Sequence, residues 1–386
     1  MRRIENRVGA GWLLVILLFV IGCSSSSKDE SASRRLEPAS AVRAGQRMAG
    51  PEKGVYTGAY IDFGDQEDTV TLETIQGFDQ LIGKRQALIG SSNFWGKGAF
   101  PRRNMDIISA YGAVPLLYWN PWDDTEWNEK HKNRFTLYAI LAGQHDAYID
   151  RWADEAKAYG KPLLVAWGLE MNGEWFPWSG VFHGGGKPVP GTRPVQYQGP
   201  ENFKKAYRYI VDRVRARGTK NIAWVFHVNN SSNPYKPLWN SMAAYYPGAS
   251  YVDWLAMSAY GKQFPRQEWI TFDQAMQKYY KELANVDAHK PILIAEWGVG
   301  HFPKSGSQAD YVAEALKKLI DPNLFPRLKG AVYWSERWQN ADGSYSNLRI
   351  NASDDTLAAF SKGVDDPRWI DRPSFTPSPS EKPLTK

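Results

Sequence analysis

The chain has 386 residues, 43% hydrophobic, 23% charged and 14% aromatic, with 17 Trp and one Cys, enough apolar material for one large folded body or two modest ones, which excludes whole-chain disorder. One Cys forms neither an internal disulfide nor a multi-thiolate zinc site, and the six His include no HExxH pair, so no metal is expected. The formal charge of +6 belongs to the two ends: residues 1–53 carry nine Lys/Arg against five Asp/Glu, residues 372–386 three against one, and residues 54–371 carry 35 of each, so the body offers a polyanion no field to follow and nucleic acid is not an expected partner.

In chain order, Arg2, Arg3 and Arg7 precede an apolar run over 12–21, too short to span a bilayer and of signal-peptide length. The run ends in Val20-Ile21-Gly22-Cys23, which resembles the bacterial lipobox. That resemblance implies a signal peptide over 1–22, lipidation of Cys23, and a membrane-anchored place in the cell envelope. In Gram-negative lipoproteins Ser24 would accompany outer-membrane sorting. Residues 23–53 are Ser-, Ala-, Arg- and Glu-rich and are expected to be a flexible tether, and 372–386, with Pro-Ser-Phe-Thr-Pro-Ser-Pro-Ser, a disordered tail.

Between them, eight short apolar runs rich in β-branched and aromatic residues occupy 55–63, 86–90, 113–119, 162–167, 222–228, 254–259, 291–296 and 330–334. Amphipathic stretches such as 137–159, 201–217, 272–288 and 308–320 separate them. Apolar strands alternating with helices indicate a parallel sheet covered on both faces, and eight units over about 300 residues predict a (β/α)8 TIM barrel across 54–371. No GxGxxG follows the first run and no GxxxxGK[ST] occurs, so a dinucleotide or P-loop site lacks its phosphate cradle and no cofactor is expected. Gly184-Gly185-Gly186, with Pro188 and Pro190, reads as a flexible insertion.

Chemistry in such a barrel sits at the carboxyl ends of the strands. The fourth run leads through Gly168-Leu169 into Glu170, and the seventh, Ile292-Leu293-Ile294-Ala295, into Glu296. Those two strands face each other across the barrel mouth. Two carboxyls about 5–5.5 Å apart hydrolyse a glycosidic bond with retention, one as nucleophile and the other as acid and then base. Burial and like charge would raise one pKa, as the acid role requires. The alternative is that each glutamate pairs with a cation at the rim and only stabilises the barrel.

The segment Leu169-Glu170-Met171-Asn172-Gly173-Glu174-Trp175-Phe176-Pro177-Trp178 resembles the acid/base segment of glycoside hydrolase family 26, His-Glu-Met-Asn-Gly-x-Trp. Gly143 to Ile149 and Tyr246-Pro247-Gly248 through Asp253-Trp254 are also similar to that family, and the likeness covers nearly all of 54–340. It implies Glu170 as acid/base, Glu296 as nucleophile, Tyr260 as a hydrogen-bond donor to the nucleophile, and Trp175 and Trp334 as sugar platforms. The family's His before the acid/base is Leu169 here, so contacts to the −1 sugar differ.

Asp62 is expected to be a rim hydrogen-bonder, Glu336 a subsite contact or a partner of Arg337, and Glu174 solvent-facing. His227 is read either as a substrate contact or as a satisfied core residue, while His183 and His301 are loop residues. Ten indoles, Trp95, Trp119, Trp122, Trp127, Trp167, Trp175, Trp178, Trp297, Trp334 and Trp338, fall at or just after strand ends, whereas Trp152, Trp224 and Trp254 belong to the core. Indoles stack on the C–H faces of sugars, so this clustering predicts a cleft for several sugars, with Trp119, Trp122, Trp175, Trp178, Tyr260, Trp297 and Trp334 binding substrate. The expectation is a monomeric, lipid-anchored, retaining endo-β-glycanase acting on a β-1,4-containing polysaccharide, β-mannan or mixed-linkage β-glucan. The alternatives are a polysaccharide-binding lipoprotein with weak or no hydrolysis, and an enzyme processing the cell's own exopolysaccharide.

Overall fold

The structure is a computed structural model describing residues 36, 39–64, 69–123, 133–235 and 237–378. The expected signal peptide, Cys23, Trp127 and residues 379–386 lie outside the described residues. The elements run β1 (Gln46–Ala49), β2 (Val55–Ile61), α1 (Leu72–Ile82), β3 (Leu88–Phe94), α2 (Arg102–Tyr111), β4 (Val114–Asn120), α3 (Leu137–Leu141), α4 (Asp146–Tyr159), β5 (Leu163–Trp167), α5 (Gln198–Ala216) and β6 (Ile222–Asn229). They continue with β7 (Trp254–Tyr260), α6 (Phe272–Val286), β8 (Ile292–Gly298), α7 (Gln308–Leu319), β9 (Leu328–Ser335), β10 (Arg337–Gln339), β11 (Tyr345–Asn347), α8 (Asp354–Val364), β12 (Trp369–Ile370) and β13 (Ser374–Pro377).

Strands β2 to β9 are the eight predicted runs, each parallel to the next, and the pairing of Tyr56–Ile61 with Gly330–Ser335 closes them into a (β/α)8 barrel. β2, β3, β4 and β5 are buried at every position. Their outward side chains lie under helices and their inward ones fill the barrel, which removes the alternation a half-exposed strand would show. α5 covers the barrel with Phe203, Ala206, Tyr207, Ile210 and Val214, one stripe at helical spacing. α6 starts where Thr271 and Gln274 close a reciprocal capping box. The stretch 137–159 divides into α3 and α4, because Gly143 takes φ +74 and turns the chain out of the helix.

Inside the barrel, Tyr60 of β2, Tyr118 of β4 and His227 of β6 are 0–1% exposed and come from alternate strands, as barrel layers do. Gly90 of β3 makes room for them: a Cβ there would lie 3.1 Å from the Tyr118 ring. Tyr118 thereby crosses the interior and donates its hydroxyl proton to the Ala295 carbonyl of β8 at 2.7 Å.

The folded body extends beyond 54–371 at both ends. β1 pairs antiparallel with β13, Gln46 opposite Pro377 and Ala49 opposite Ser374, so parts of the expected tether and tail form one ribbon. Val42 and Met48 are buried, and Arg47 donates to the carbonyls of Lys220 and Ile222 at the start of β6. The Tyr56 hydroxyl donates to the Ala49 carbonyl at 2.9 Å, accepts the Ser374 N–H at 2.9 Å and meets the Ser374 Oγ at 2.6 Å. These segments are too polar to read as strands alone, and each becomes one only by pairing with the other. Tyr56→Phe is expected to destabilise the protein by about 1–3 kcal/mol, the cost of stranding buried partners. Urea unfolding with an unchanged m-value measures it, and an unshifted midpoint would show that the ribbon does not hold the barrel floor.

Candidate active site

Two turns present Glu170. Gly168 has φ +59 and Glu170 has φ 54, the one non-glycine positive φ among the described residues. A left-handed glutamate costs about 1 kcal/mol and persists only where its surroundings over-determine it. Here the Glu170 N–H donates to the His227 carbonyl at 2.8 Å, and its own carbonyl accepts the Gly173 N–H at 2.9 Å. A Cβ on Gly173 would sit 2.5 Å from the Trp175 ring, so glycine lets that indole fold back and donate Nε1–H to Glu170 Oε2 at 2.6 Å. Asn172, fully buried, locks this turn to the loop after β6: its Oδ1 accepts the Asn229 N–H, and its Nδ2 donates to the Asn229 carbonyl and Ser232 Oγ.

Glu296 sits where β8 is irregular, with register shifts between Met257 and Ser258 on the β7 side and between Ile294 and Trp297 on the β9 side. Such bulges re-aim a side chain at the rim of a barrel. The Tyr118 hydroxyl satisfies the neighbouring Ala295 carbonyl, and the Tyr260 hydroxyl donates to Glu296 Oε2 at 2.9 Å. Both glutamates are 7% exposed.

The electrostatics tie the pair together. Burial holds the Tyr260 phenol well above its ordinary pKa, and the charges of Glu296 and then Glu170 push it further, so one hydroxyl feels both carboxylates. Burial raises the Glu170 pKa above the ordinary carboxylate range, opposed by hydrogen bonds from Ser258 and Trp175. Burial also lowers His227 to about 3 and keeps it neutral. One raised carboxyl facing another across a barrel mouth is suited to paired acid and nucleophile work. Among the described residues no three His, Cys, Asp or Glu side chains gather in a group able to hold a metal.

The structure therefore brings Glu170, Glu296, Tyr260 and Trp175 to one place. Trp334, near the carboxyl end of β9, is half-buried, stacked on Tyr60 at 3.8 Å with its ring centroid 5.8 Å from that of Tyr118, and donates Nε1–H to Glu336 Oε2 at 2.7 Å. Asp62 is a rim residue, ion-paired with Arg349 and accepting the Gly64 N–H. Glu174 is exposed and accepts from Asn233 Nδ2. His183 is 2% exposed and serves the protein itself, its Nε2 accepting the Leu137 N–H at the start of α3 and its Nδ1 meeting the Ser179 carbonyl. His301 is half-buried, its backbone N–H on the Asn347 carbonyl.

Most of the tryptophan expectation is corrected. Trp95, Trp119, Trp122, Trp167, Trp178 and Trp297 are 0–4% exposed and present no free ring face to a sugar. Trp119 stacks on Trp152 at 3.8 Å and donates to the Tyr148 hydroxyl. Trp297 packs on Tyr333 and Phe360, Trp167 on Phe203, and Trp122 stands edge-on to Phe176 and Trp178. Trp178 donates Nε1–H to the Leu169 carbonyl at 2.7 Å and so braces the turn before Glu170. For the strand residues Trp119, Trp167 and Trp297 the cause is strand parity: side chains alternate in and out, so Tyr118 points into the barrel while its neighbour Trp119 meets α4. Trp95, Trp122 and Trp178 lie beyond the strands and are buried by packing on other rings. Among the described residues of the predicted group, Trp175, Trp334 and Trp338 are half-buried.

The loop over 182–197, expected to be flexible, is tied down. The Gly185 N–H bonds the Gly180 carbonyl, the Gly199 N–H bonds the Gly185 carbonyl, and a Cβ on Gly186 would lie 2.6 Å from the Trp239 ring. Ser258, which meets both His227 and Glu170, is a site residue that sequence reading missed. Its signal was a lone hydroxyl inside the apolar run Leu255-Ala256-Met257-Ser258-Ala259.

The profile of the family described as glycosyl hydrolase family 26 matches residues 120–306. Endoglucanase H of Acetivibrio thermocellus is 27% identical over 325 residues, 83% of this chain and 31% of that protein. A mannan endo-1,4-beta-mannosidase of Bacillus subtilis is 28% identical over 263 residues, 66% of this chain and 62% of its own length. The chain thus spans less than two thirds of either relative. Among solved structures, a modular endo-beta-1,4-mannanase from Cellulomonas fimi superposes with a TM-score of 0.57 at 18% identity, over 82% of this chain and 72% of that one, a likeness of fold.

Proposed function

The chain belongs to glycosyl hydrolase family 26, and from that premise we propose that it is a retaining endo-β-glycanase whose nucleophile is Glu296 and whose acid/base is Glu170. The observation that carries this reading is the pair itself: two buried glutamates at the carboxyl ends of β5 and β8, both felt by Tyr260, with burial raising the pKa of Glu170. In the first step Glu296 attacks the anomeric carbon while protonated Glu170 gives its proton to the leaving glycosidic oxygen. In the second, ionised Glu170 takes a proton from water, which displaces Glu296 and releases the sugar with its configuration retained. The Tyr260 hydroxyl holds Glu296 in the attacking orientation. Trp175 and Trp334, both half-buried, offer aromatic faces for sugar rings.

The names of the relatives, an endoglucanase and a mannanase, support a β-1,4-containing polysaccharide, either mixed-linkage β-glucan or β-mannan. Incubation with a panel of mannan, glucomannan, mixed-linkage β-glucan, xylan and the cell's own exopolysaccharide tests this. Release of oligosaccharides with retained anomeric configuration is expected from one of the first three. Binding without products would replace the enzyme reading with a polysaccharide-binding protein, the alternative that Leu169 in place of the family's His motivates. Val20-Ile21-Gly22-Cys23 supports anchoring through a lipid on Cys23 in the cell envelope. Metabolic labelling with a fatty acid, lost in Cys23→Ala, tests that part separately.

A further inference from the structure

We propose that His227 and Ser258 act as a positioning pair for Glu170, the imidazole obliging the serine hydroxyl to donate its proton to the glutamate carboxylate. This rests on the reading of Glu170 as acid/base. His227 Nε2 lies 2.8 Å from Ser258 Oγ, and the Ser258 side chain is hydrogen-bonded to the Glu170 carboxyl. The other ring nitrogen, Nδ1, is buried without a hydrogen-bond partner in a residue only 1% exposed.

That orphan nitrogen decides the direction of the chain. A buried N–H without an acceptor is rarer and costlier than a bare acceptor, so the ring proton resides on Nε2 and points at Ser258. A serine hydroxyl has one proton. With a lone pair occupied by the imidazole, that proton turns to Glu170. Burial keeps His227 neutral down to about 3, so the arrangement persists through any working pH. The backbone holds the same three residues together: the Glu170 N–H donates to the His227 carbonyl, and Ser258 is in register with Asn229 on one side and Glu296 on the other.

The titratable groups around this pair are Glu296 from β8, Tyr260 from β7 and Tyr118 from β4, whose ring centroid is 6.0 Å from that of His227. Trp175 donates independently to Glu170 Oε2. Donors to the carboxylate favour its ionised form and oppose burial, so the pair sets how far the Glu170 proton is retained. Where the family has a His beside the acid/base, this chain has Leu169, and a His on the next strand reaches the same carboxyl through a serine.

The test titrates Glu170 directly by ¹³C NMR of the full chain labelled at the glutamate carboxyl, with the resonance assigned by its loss in Glu170→Gln. Ser258→Ala and His227→Phe are each expected to raise the Glu170 midpoint by about one pH unit, the loss of one donor to a charged group. His227→Gln, whose side-chain amide supplies a donor near the Nε2 position, is expected to restore it. An unmoved midpoint in Ser258→Ala, or no difference between the Phe and Gln variants, overturns the pair. In the unaltered protein, ¹⁵N shifts should report the Nε2–H tautomer of His227, and an Nδ1–H tautomer overturns the proposal without any variant. Turnover is read separately: the alkaline limb of kcat/KM should move with the NMR midpoint, whereas a chain inactive on every glycan overturns the acid/base reading and leaves the titration to judge the pair.

Discussion

Glu296→Ala is expected to lose turnover on every glycan by roughly 10⁴-fold or more, because the proposed mechanism needs its carboxylate to form the glycosyl-enzyme bond. Glu170→Ala should behave differently according to the leaving group. On polysaccharide, whose leaving alcohol needs a proton, the loss should be on the order of 10²–10⁴-fold, the range of general acid catalysis. On aryl glycosides with acidic phenols the first step needs no proton, so a burst of phenol should precede slow release of the sugar, since the base for the second step is also missing. Added azide, a nucleophile that needs no base, should speed that second step and give a β-glycosyl azide. Equal losses for Glu170→Ala on both substrate types would refute the division of roles, and full activity in Glu296→Ala would remove the mechanism.

The second large effect concerns stability and pH. Burial pushes the Asp79 carboxyl up to about 7, against the opposing Tyr111 hydrogen bond and Arg85 charge and with a small push from Asp371. Asp79 accepts from the Tyr111 hydroxyl, which takes the Gln86 N–H, and the Arg85 guanidinium lies over the Tyr111 ring at 4.1 Å. The unfolded carboxyl titrates near 3.9. Between about pH 4 and 7 the unfolded chain therefore loses a proton that the folded chain keeps, and folding stability falls as pH rises, by about 4 kcal/mol from this group alone. His227 acts in the opposite sense. Its folded pKa of about 3 lies below the unfolded value near 6.5, so its contribution is complete above pH 6.5 and declines as pH falls toward 3, by about 5 kcal/mol.

The two slopes oppose each other in the unaltered protein, so the variants reveal them. Asp79→Asn, which keeps a hydrogen-bonding oxygen for Tyr111 without an ionisable proton, should gain stability over the parent by about 4 kcal/mol on going from pH 4 to pH 7. His227→Gln should gain relative to the parent in the acid direction, between pH 6.5 and 3. Urea unfolding at a series of pH values measures both differences. If the Asp79→Asn difference is flat across that range, the carboxyl is not held protonated in the folded state.

Several features were legible before any coordinates. Eight apolar runs separated by amphipathic stretches implied a closed parallel barrel, because a strand buried on both faces carries no polar alternation and a parallel neighbour requires a helix between. The same pattern located Glu170 and Glu296, since a charged residue that closes an apolar run lies toward the carboxyl end of its strand: Glu170 falls in the turn after β5 and Glu296 in the last residues of β8. The zero charge of 54–371 was likewise a property of the chain.

Parity was not legible. In β4, Tyr118 and Trp119 are adjacent, aromatic and fully buried, yet one enters the barrel and the other packs on Trp152. Only the closing of the sheet decides which face is inside, and for that reason the strand indoles Trp119, Trp167 and Trp297 are core residues and not sugar platforms. The ribbon of β1 and β13 was hidden for a related reason: Gln46–Ala49 and Ser374–Pro377 have little strand character of their own, and a pairing across more than 300 residues leaves no local signature. The contact of His227 with Ser258 joins two neighbouring strands whose register is set by the barrel and not by spacing along the chain. The sequence determined the barrel and the two glutamates, because those follow from hydrophobic pattern and strand ends. Tertiary structure alone decided what surrounds each carboxyl, because burial, hydrogen-bond direction and pKa arise between side chains far apart in the chain.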